Sequence, residues 1–378
     1  MPHLPRLFRA LRAIALLGLS ALVLASVGPA NAADARRKII IDQDTFGPGG
    51  SNMQSVLMLL QAPDVEVIGI TVTSGDGWRD EEVAAVLRLL EIAQRPEVPV
   101  YAGAVYPLVN SQARTKAWEQ RHGALVYKGA WMERTFDGGA TERAAYHADP
   151  YLVPPSPAGS PTLRARAESA AAFMARTVAE FPGQVTIWCG GPMTNVALAA
   201  RLNPQFASLA KELVFMGGSF NPVAVNSDTF ASEYAHSPRR EFNMRWDPEA
   251  ASLVLHEPWR KITQVPIDPT TKTMFSKALY TDIARGTAPF VSYVVAYGQG
   301  FPMWDELAAA VWLDPTLVTR KQTLLVDIET GDGAAYGDTL SWPLAGGPAL
   351  GERPVEVVQD IDLARFERLT VRLLSQRR

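Results

Sequence analysis

Two aspartates, Asp42 and Asp44, follow the short apolar run Ile39 to Ile41 with one residue between them. If the chain stays extended, its alternation points both carboxylates the same way. Carboxylates held close together repel each other unless a cation lies between them. Oxygen ligands suit Ca²⁺ or Mg²⁺, and no cluster of cysteine and histidine favours zinc. The pair therefore predicts a divalent cation site, with turn or cap residues as the alternative.

The elements that must position these side chains alternate between strands and helices. Apolar runs typical of buried strands are 39–41, 65–72, 185–188 and 213–216, and helical spacing follows at 53–60, 83–90 and 194–201. This alternation predicts an α/β fold with a mostly parallel central sheet and helices on both faces. Ligands of such sheets bind beyond the carboxyl ends of the strands, where the polar residues of this chain lie.

Ordered motifs extend over nearly the whole chain after residue 32. They are Asp42-Gln43-Asp44 within 39–60, then 63–71, 98–103, Gly191-Pro192-Met193-Thr194-Asn195, 216–218, 241–243 with 247–250, and 304–308. In this order they resemble the motifs of the inosine/uridine-type nucleoside hydrolases. The chain is identified as a divergent, exported, bacterial-type member, and the resemblance implies the Rossmann-like fold of that family.

The resemblance implies calcium-dependent hydrolysis of the N-glycosidic bond of ribonucleosides, giving free base and ribose through an oxocarbenium-like ribosyl cation. Asp44 falls on the aspartate that binds calcium and takes a proton from water. Asp305 falls on a second calcium carboxylate, and Gly190 on the residue that offers its main-chain carbonyl to the metal. Taken alone, Asp305 would instead be an N-cap for an apolar helix over 307–311.

Further matches imply contacts with the substrate. Glu241 and Asn243 fall on the pair that hydrogen-bonds the ribose, although both types are ordinarily solvated loop residues. His122, by a looser alignment, resembles a histidine beside the pocket and is a candidate catalytic residue. Its alternative is an exposed or core histidine, and Asp42 is either a metal contact or purely structural.

The opening motif departs from the family pattern D-x-D-P-G-x-D-D. The turn is longer here, and Ser51 and Asn52 fall on its two final aspartates, one a calcium ligand and the other a ribose contact. Asn52 can still offer a neutral carbonyl oxygen to metal or substrate, but the site loses negative charge, so weaker calcium binding is expected. Asp76, beyond the second strand, either replaces the missing carboxylate near the ribose or forms an ordinary Asp-Gly turn.

Trp304 stands where the family often has a histidine that protonates the leaving base. Indole is not a useful acid, so Trp304 is expected to stack on the base and let water protonate it. Tyr293, Tyr297, Tyr234 and His236 are other candidates near the pocket mouth.

Two other functions fit parts of the pattern. A phosphatase of the haloacid dehalogenase type also begins with a strand and D-x-D, but Phe46 stands where that motif has Thr or Val. A non-catalytic exported protein that binds ribose or nucleosides is the stronger alternative, because Ser51, Asn52 and Trp304 all depart from the catalytic pattern.

The first 32 residues resemble a signal peptide, with three arginines, an apolar stretch over 13–27 and Ala30-Asn31-Ala32 before the expected cleavage. This predicts a periplasmic or secreted protein that does not bind the membrane after cleavage. Without those arginines the formal net charge changes from −3 to −6, which argues against a nucleic-acid partner. Cys189 is the only cysteine, so no intramolecular disulfide is expected.

The mature chain, 33–378, is expected to form a single domain. Residues 103–163 are rich in Pro, Gly and charged residues and predict an irregular insertion or lid, with a plain surface excursion as the alternative. The substrate is expected to be a small nucleoside or another N-riboside. The resemblance also suggests a homo-oligomer, and the base specificity is left open.

Overall fold

The structure is a computed structural model and describes residues 36–133, 146–221, 239–297 and 300–377. The predicted signal peptide and the candidates Tyr234 and His236 lie outside these ranges. The described part of Arg37–Arg378 forms one compact unit. No helix in the described ranges has both the length and the apolar composition needed to cross a membrane.

A nine-stranded sheet forms the centre of the molecule, in the order β3-β2-β1-β4-β5-β6-β9-β7-β8. The strands β1 to β6 and β9 run parallel to one another, whereas β7 runs antiparallel to its neighbours β9 and β8. Their bounds are β1 Arg37–Gln43, β2 Val65–Val72, β3 Val100–Ala102, β4 Val185–Cys189, β5 Glu212–Met216, β6 Ile262–Val265, β7 Val318–Ile328, β8 Thr339–Trp342 and β9 Pro354–Ile361.

Thirteen α-helices are defined within the described ranges, together with two 3₁₀ turns at Gly129–Trp131 and Pro315–Leu317. The helices are α1 Ser51–Gln61, α2 Arg79–Ile92, α3 Gln112–His122, α4 Ala170–Glu180, α5 Thr194–Leu202, α6 Phe206–Leu209, α7 Phe242–Trp246, α8 Pro248–His256, α9 Ile267–Thr270, α10 Lys277–Ile283, α11 Val291–Tyr297, α12 Trp304–Leu313 and α13 Leu363–Ser375.

Helices cover both faces of the sheet. Strand β1 shows why, since Ile39 and Ile41 enter a core built with α1, α2, α12 and α13, while Ile40 enters the core built with α4, α5 and α8. A strand buried on both faces must be apolar throughout, and this explains the continuous runs in the sequence. The predicted fold class is confirmed.

The predicted elements match closely where the apolar pattern is regular. Strand β2 has the expected bounds, and α1, α2 and α5 extend the predicted helices by a few residues at their ends. The antiparallel strands β7 to β9 were not predicted, because β7 is largely exposed and carries polar residues. Residues 103–163 contain α3 and a 3₁₀ turn in their described part, and their role as a lid stays a prediction.

Candidate functional site

A pocket lies at the carboxyl ends of β1, β2, β4 and β5. Four acids form what we call the acidic wall: Asp44, Asp76, Glu241 and Asp305. Four rings form the aromatic wall: Tyr127, Phe242, Phe301 and Trp304. The remaining lining residues are Ser51, Asn52, Gly190, Met216, Asn243 and Ile267. The pocket therefore brings together nearly all of the predicted site residues.

Asp44 lies at the base of this pocket, immediately after β1. Its Oδ1 accepts a hydrogen bond from Asn52 Nδ2 at 2.9 Å, and its Oδ2 accepts one from the main-chain nitrogen of Asp76 at 3.0 Å. A Cβ at Gly75 would lie 2.1 Å from Asp44 Oδ2, and one at Gly191 would lie 2.8 Å from Asp44 Oδ1. The two neighbouring turns thus approach this carboxylate closely because they carry glycine.

Asp305 belongs to the first turn of α12 and is not its N-cap, which is Met303. The alternative reading of Asp305 as a helix cap is therefore wrong. Its Oδ2 accepts a hydrogen bond from Gln43 Nε2 at 3.1 Å, and Gln43 Oε1 also accepts one from the main-chain nitrogen of Asp44 at 2.9 Å. Gln43 thereby ties the two predicted metal carboxylates to the end of β1.

Glu241 and Asn243 lie at the start of α7. The Glu241 carboxylate caps this helix and also accepts a hydrogen bond from the main-chain nitrogen of Gly218 at 3.0 Å. Asn243 Nδ2 donates to the carbonyl oxygen of Gly190 at 2.8 Å. The solvated-loop alternative is therefore wrong, since both side chains are buried at the pocket.

Asp42 points away from the pocket despite its spacing from Asp44. Its Oδ1 accepts hydrogen bonds from Thr71 Oγ1 at 2.7 Å and from Asn195 Nδ2 at 2.8 Å, and the residue is fully buried. Burial raises the pKa of Asp42 to about 7. Asp42 therefore connects β1 to β2 and to α5 by hydrogen bonds. These contacts support the purely structural role for Asp42.

Asp76 combines a turn position with a place in the acidic wall. Its Oδ1 accepts a hydrogen bond from Tyr127 Oη at 2.8 Å. Tyr127 belongs to the segment 103–163, so this segment contributes directly to the pocket. The expectation that Asp76 adds a carboxylate to the site agrees with this position.

Trp304 lines the pocket as expected, with its ring parallel to that of Phe301 at 4° and a centroid separation of 6.2 Å. Tyr293 instead accepts a hydrogen bond from the main-chain nitrogen of Gly49 at 2.9 Å, and neither Tyr293 nor Tyr297 lines the pocket. These two tyrosines pack against the turn that follows β1.

His122 is the last residue of α3 and is exposed. Its ring packs against Trp118 with a centroid separation of 5.0 Å, and it is absent from the pocket lining. The structure thus places His122 outside the pocket, which corrects the expectation of a histidine beside it. The looser alignment could not fix the direction in which α3 presents this side chain.

No positively charged side chain balances the acidic wall, because no described lining residue is Lys, Arg or His. Burial, followed by the charges of Asp76 and Asp305, raises the pKa of Asp44 well above its usual range. Burial and the neighbouring Glu306 do the same for the pKa of Asp305. Carboxylates with an amide and a main-chain carbonyl are the ligands that Ca²⁺ prefers, so the residues present fit such a cation.

A separate group of potential metal ligands lies away from this pocket. His256, Asp327 and Glu352 have ligand atoms within 4.8 Å of one another. The acids of the pocket do not meet as a group of three within that distance.

Sequence reasoning missed several residues that line the pocket or lie directly behind it. Gln43 stood inside the D-x-D motif, and its position between two acids was a signal for a bridging role. Phe242 stands between the predicted ribose contacts Glu241 and Asn243, and this position was a signal for it. Tyr127 and Phe301 lie in segments without a periodic pattern, so no local signal placed them at the pocket. Glu306, fully buried behind Ser51, was visible only as an acid inside an apolar helix.

Comparison with known proteins places the chain in a family. The sequence model described as inosine-uridine preferring nucleoside hydrolase matches residues 39–368. A probable uridine nucleosidase 1 of rice is 30% identical over 87% of this chain and 93% of its own length. A pyrimidine-specific ribonucleoside hydrolase of Salmonella is 28% identical over 80% of this chain and 87% of its own.

A solved structure of a plant nucleoside hydrolase has the same fold. Its TM-score is 0.66 at 24% identity, over 90% of this chain and 99% of that one. Since the relatives include plant proteins, they do not support the prediction of an exported, bacterial-type member of the family. The family match extends over most of the chain and includes the acidic wall described above. The chain belongs to the inosine-uridine preferring nucleoside hydrolase family and is a nucleoside hydrolase.

Proposed function

We propose that this protein hydrolyses the N-glycosidic bond of ribonucleosides in a calcium-dependent reaction, with water activated by Asp44. The observation that carries the proposal is the buried carboxylate of Asp44 in a pocket with three further acids and no described basic residue. A carboxylate held in this way can accept a proton from water.

The residues that would hold calcium are Asp44, Asn52, Asp305 and the carbonyl of Gly190. When bound, the cation supplies positive charge that offsets the carboxylates and favours loss of a proton from water. Gln43 holds Asp305 and the main chain of Asp44 in place through its amide. The Asn52 amide already contacts Asp44, so the two side chains are positioned as a pair.

Glu241 and Asn243 would bind the ribose hydroxyls. Both side chains are anchored by main-chain groups, Glu241 to Gly218 and Asn243 to Gly190. Anchored polar groups can hold the sugar in one orientation while the bond to the base breaks. Asp76 adds a carboxylate on the side of Tyr127, and this carboxylate would face a ribose hydroxyl or the base.

The chemical step breaks the bond between the ribose C1′ and the base nitrogen. The attacking water forms a bond to C1′ and gives a proton to Asp44, while the departing base accepts a proton. Trp304 and Phe301 lie parallel at the pocket and would stack on the base, so that water can protonate it. His122 takes no part in this step because it lies outside the pocket.

We also propose that the protein is exported to the periplasm or secreted after cleavage near Ala32, and that it assembles as a homo-oligomer. The leader composition supports export. The names of the rice and Salmonella relatives support uridine as the first nucleoside to test.

The test uses protein that begins at Ala33, incubated with a nucleoside panel before and after chelation. Free base and ribose are separated by chromatography. Base release that disappears with chelator and returns with calcium is the expected result. Binding of nucleosides without release by folded, calcium-loaded protein would favour the ribose-binding alternative and contradict the proposal.

A further inference from the structure

His256, Asp327 and Glu352 form a group of three potential metal ligands outside the pocket, which we call the His256 cluster. One ligand atom of each residue lies within 4.8 Å of the other two. His256 ends α8, Asp327 lies in β7, and Glu352 comes shortly before β9. All three residues are partly buried. The fold therefore brings the cluster together from three elements that are far apart in the chain, and so no local spacing predicted it.

The histidine of this cluster is oriented by its own helix. His256 Nδ1 lies 2.8 Å from the carbonyl oxygen of Ser252, one turn earlier in α8. A carbonyl oxygen only accepts hydrogen bonds, so Nδ1 carries the hydrogen, and in the neutral ring Nε2 carries the lone pair. Histidines that bind metals are almost always held in this way, with the other ring nitrogen donating to an acceptor. Nε2 of His256 is therefore placed to act as a ligand.

The two acids are oriented by main-chain groups as well. Asp327 Oδ1 accepts a hydrogen bond from the main-chain nitrogen of Ile328 at 2.8 Å. Glu352 Oε2 accepts one from the main-chain nitrogen of Leu350 at 3.0 Å. Asp327 Oδ2 lies 3.8 Å from His256 Nε2, which is too far for a hydrogen bond. Glu352 Oε1 is buried and has no hydrogen-bond partner among the described residues. Each acid thus keeps one oxygen for a further ligand.

No lysine or arginine balances the two acids of the cluster. Neither Asp327 nor Glu352 forms an ion pair with a described Lys or Arg residue. A buried carboxylate oxygen without a partner costs free energy, and two carboxylates held close together repel each other unless a cation lies between them. His256 also ends α8, where the dipole of the helix favours positive charge. A cation at the cluster would satisfy all of these groups at once.

We propose that His256, Asp327 and Glu352 bind a divalent transition metal, and that Zn²⁺ is the ion that fits this ligand set. Imidazole together with carboxylates suits zinc, whereas Ca²⁺ takes oxygen ligands only. Zinc at about 2.0–2.2 Å from tetrahedral ligands separates those ligands by about 3.4 Å. The present separation of Nε2 and Oδ2 is 3.8 Å, so small side-chain rotations would close the site around the ion.

The proposed zinc site is structural and independent of the proposed reaction. None of its three residues lines the pocket, so the inference does not depend on the role of calcium there. Bound metal would join the end of α8 to β7 and to the segment before β9. Because the cluster exists only in the folded chain, metal binding would stabilise the folded state.

The first measurement is zinc binding to chelator-stripped protein by calorimetry, with His256→Asn as the test variant. Asparagine Nδ2 can keep the hydrogen bond to the carbonyl oxygen of Ser252 but offers no ligand in place of Nε2. Even outer-shell partners change metal affinity by about 10- to 100-fold, so we expect a loss of zinc affinity of at least about 100-fold. Asp327→Asn and Glu352→Gln should lose zinc affinity as well.

Glu257→Gln is the matched control. Glu257 is the acid next to His256 in the chain, but it lies outside the cluster and pairs with Arg201 at 3.6 Å. Its replacement should leave zinc affinity within about twofold of the wild type. Calorimetry of the same variants with calcium separates this site from the pocket, since none of them should change calcium binding.

Thermal unfolding gives a second readout. Zinc at 100 times its dissociation constant should raise the unfolding temperature of the wild type and of Glu257→Gln by about 3–5 °C. It should not do so for His256→Asn. In zinc-free protein, Asp327→Asn should unfold at or above the wild-type temperature, because the repulsion between the two carboxylates is gone.

The comparison of zinc affinities decides the matter. Loss of affinity in the three cluster variants, with Glu257→Gln unchanged, supports the proposal. Equal zinc affinity in the wild type and in His256→Asn would overturn it, and any zinc bound would then belong to another place such as the acidic wall. In that case a lower stability of zinc-free Asp327→Asn would identify the cluster as an ion pair of protonated His256. Nucleoside hydrolysis measured separately would stand or fall without affecting this result.

Discussion

Trp304 of the aromatic wall and Asp305 of the acidic wall both line the pocket and are consecutive in α12, but they have different neighbours. Asp305 faces Gln43 at the end of β1, whereas Trp304 lies parallel to Phe301. The acidic wall is held by main-chain groups and by the ends of strands, and three of its acids, Asp44, Glu241 and Asp305, are buried. The aromatic wall is built by rings from several distant segments. The acidic wall is therefore suited to the hydrolytic step, and the aromatic wall is suited to selecting the base.

The largest effect is expected from the acidic wall. Asp44→Ala removes the proposed base, and positioned general bases contribute about 10²- to 10⁴-fold. We therefore expect kcat to fall by at least about 10²-fold in a nucleoside release assay. Asp42→Asn provides a contrast, since Asp42 lies outside the pocket lining and should affect stability more than turnover. Equal losses of kcat in Asp44→Ala and Asp42→Asn would contradict the assignment of Asp44 as the base and Asp42 as a structural residue.

The aromatic wall should affect binding of the base. Stacking of a base on an aromatic side chain is worth about 1–3 kcal/mol, so Trp304→Ala should reduce kcat/KM about 5- to 100-fold. Trp304→Phe keeps an aromatic face and should recover much of this loss. Stacking on the base would be contradicted if Trp304→Ala lowered kcat/KM as much for ribosides with small, activated leaving groups as for nucleosides.

The pH dependence should come from the acidic wall as well. Burial raises the pKa of Glu241 to about 7. If Glu241 must be ionised to accept hydrogen bonds from ribose, kcat/KM should fall by about tenfold per pH unit below 7. Because this pKa is higher in the folded state than in the unfolded one, ionisation of Glu241 also weakens folding as pH rises through 7. Glu241→Gln should lose activity and flatten this limb of the profile.

The smallest effect is expected where the two walls join. Tyr127→Phe removes the hydroxyl that donates to Asp76, and a typical hydrogen bond contributes about 0.5–1.5 kcal/mol. We expect kcat/KM to decrease about two- to tenfold, measured on uridine and inosine. A loss of kcat/KM larger than that of Trp304→Ala would mean that Tyr127 has a chemical role.

The amino-acid pattern predicts the fold class and four of the nine strands, β1, β2, β4 and β5. Strands buried on both faces must be continuously apolar, and the carboxyl ends of parallel strands face the ligand side, so the place of Asp44 at the pocket was predictable from pattern. Asp305 lies in the first turn of α12, and its place at the pocket was predictable only from the resemblance to the family. The antiparallel strands β7 to β9 escaped prediction because their exposed residues break the apolar signal.

Only the tertiary structure decided which polar groups meet. Asp42 and Asp44 are equivalent in spacing, yet Thr71 and Asn195 bind one and Asn52 binds the other. Tyr127 reaches the site from a segment that is distant in the chain, and His122 does not reach it. Contacts between residues far apart in the chain depend on how helices pack over the sheet, and local patterns do not encode that packing.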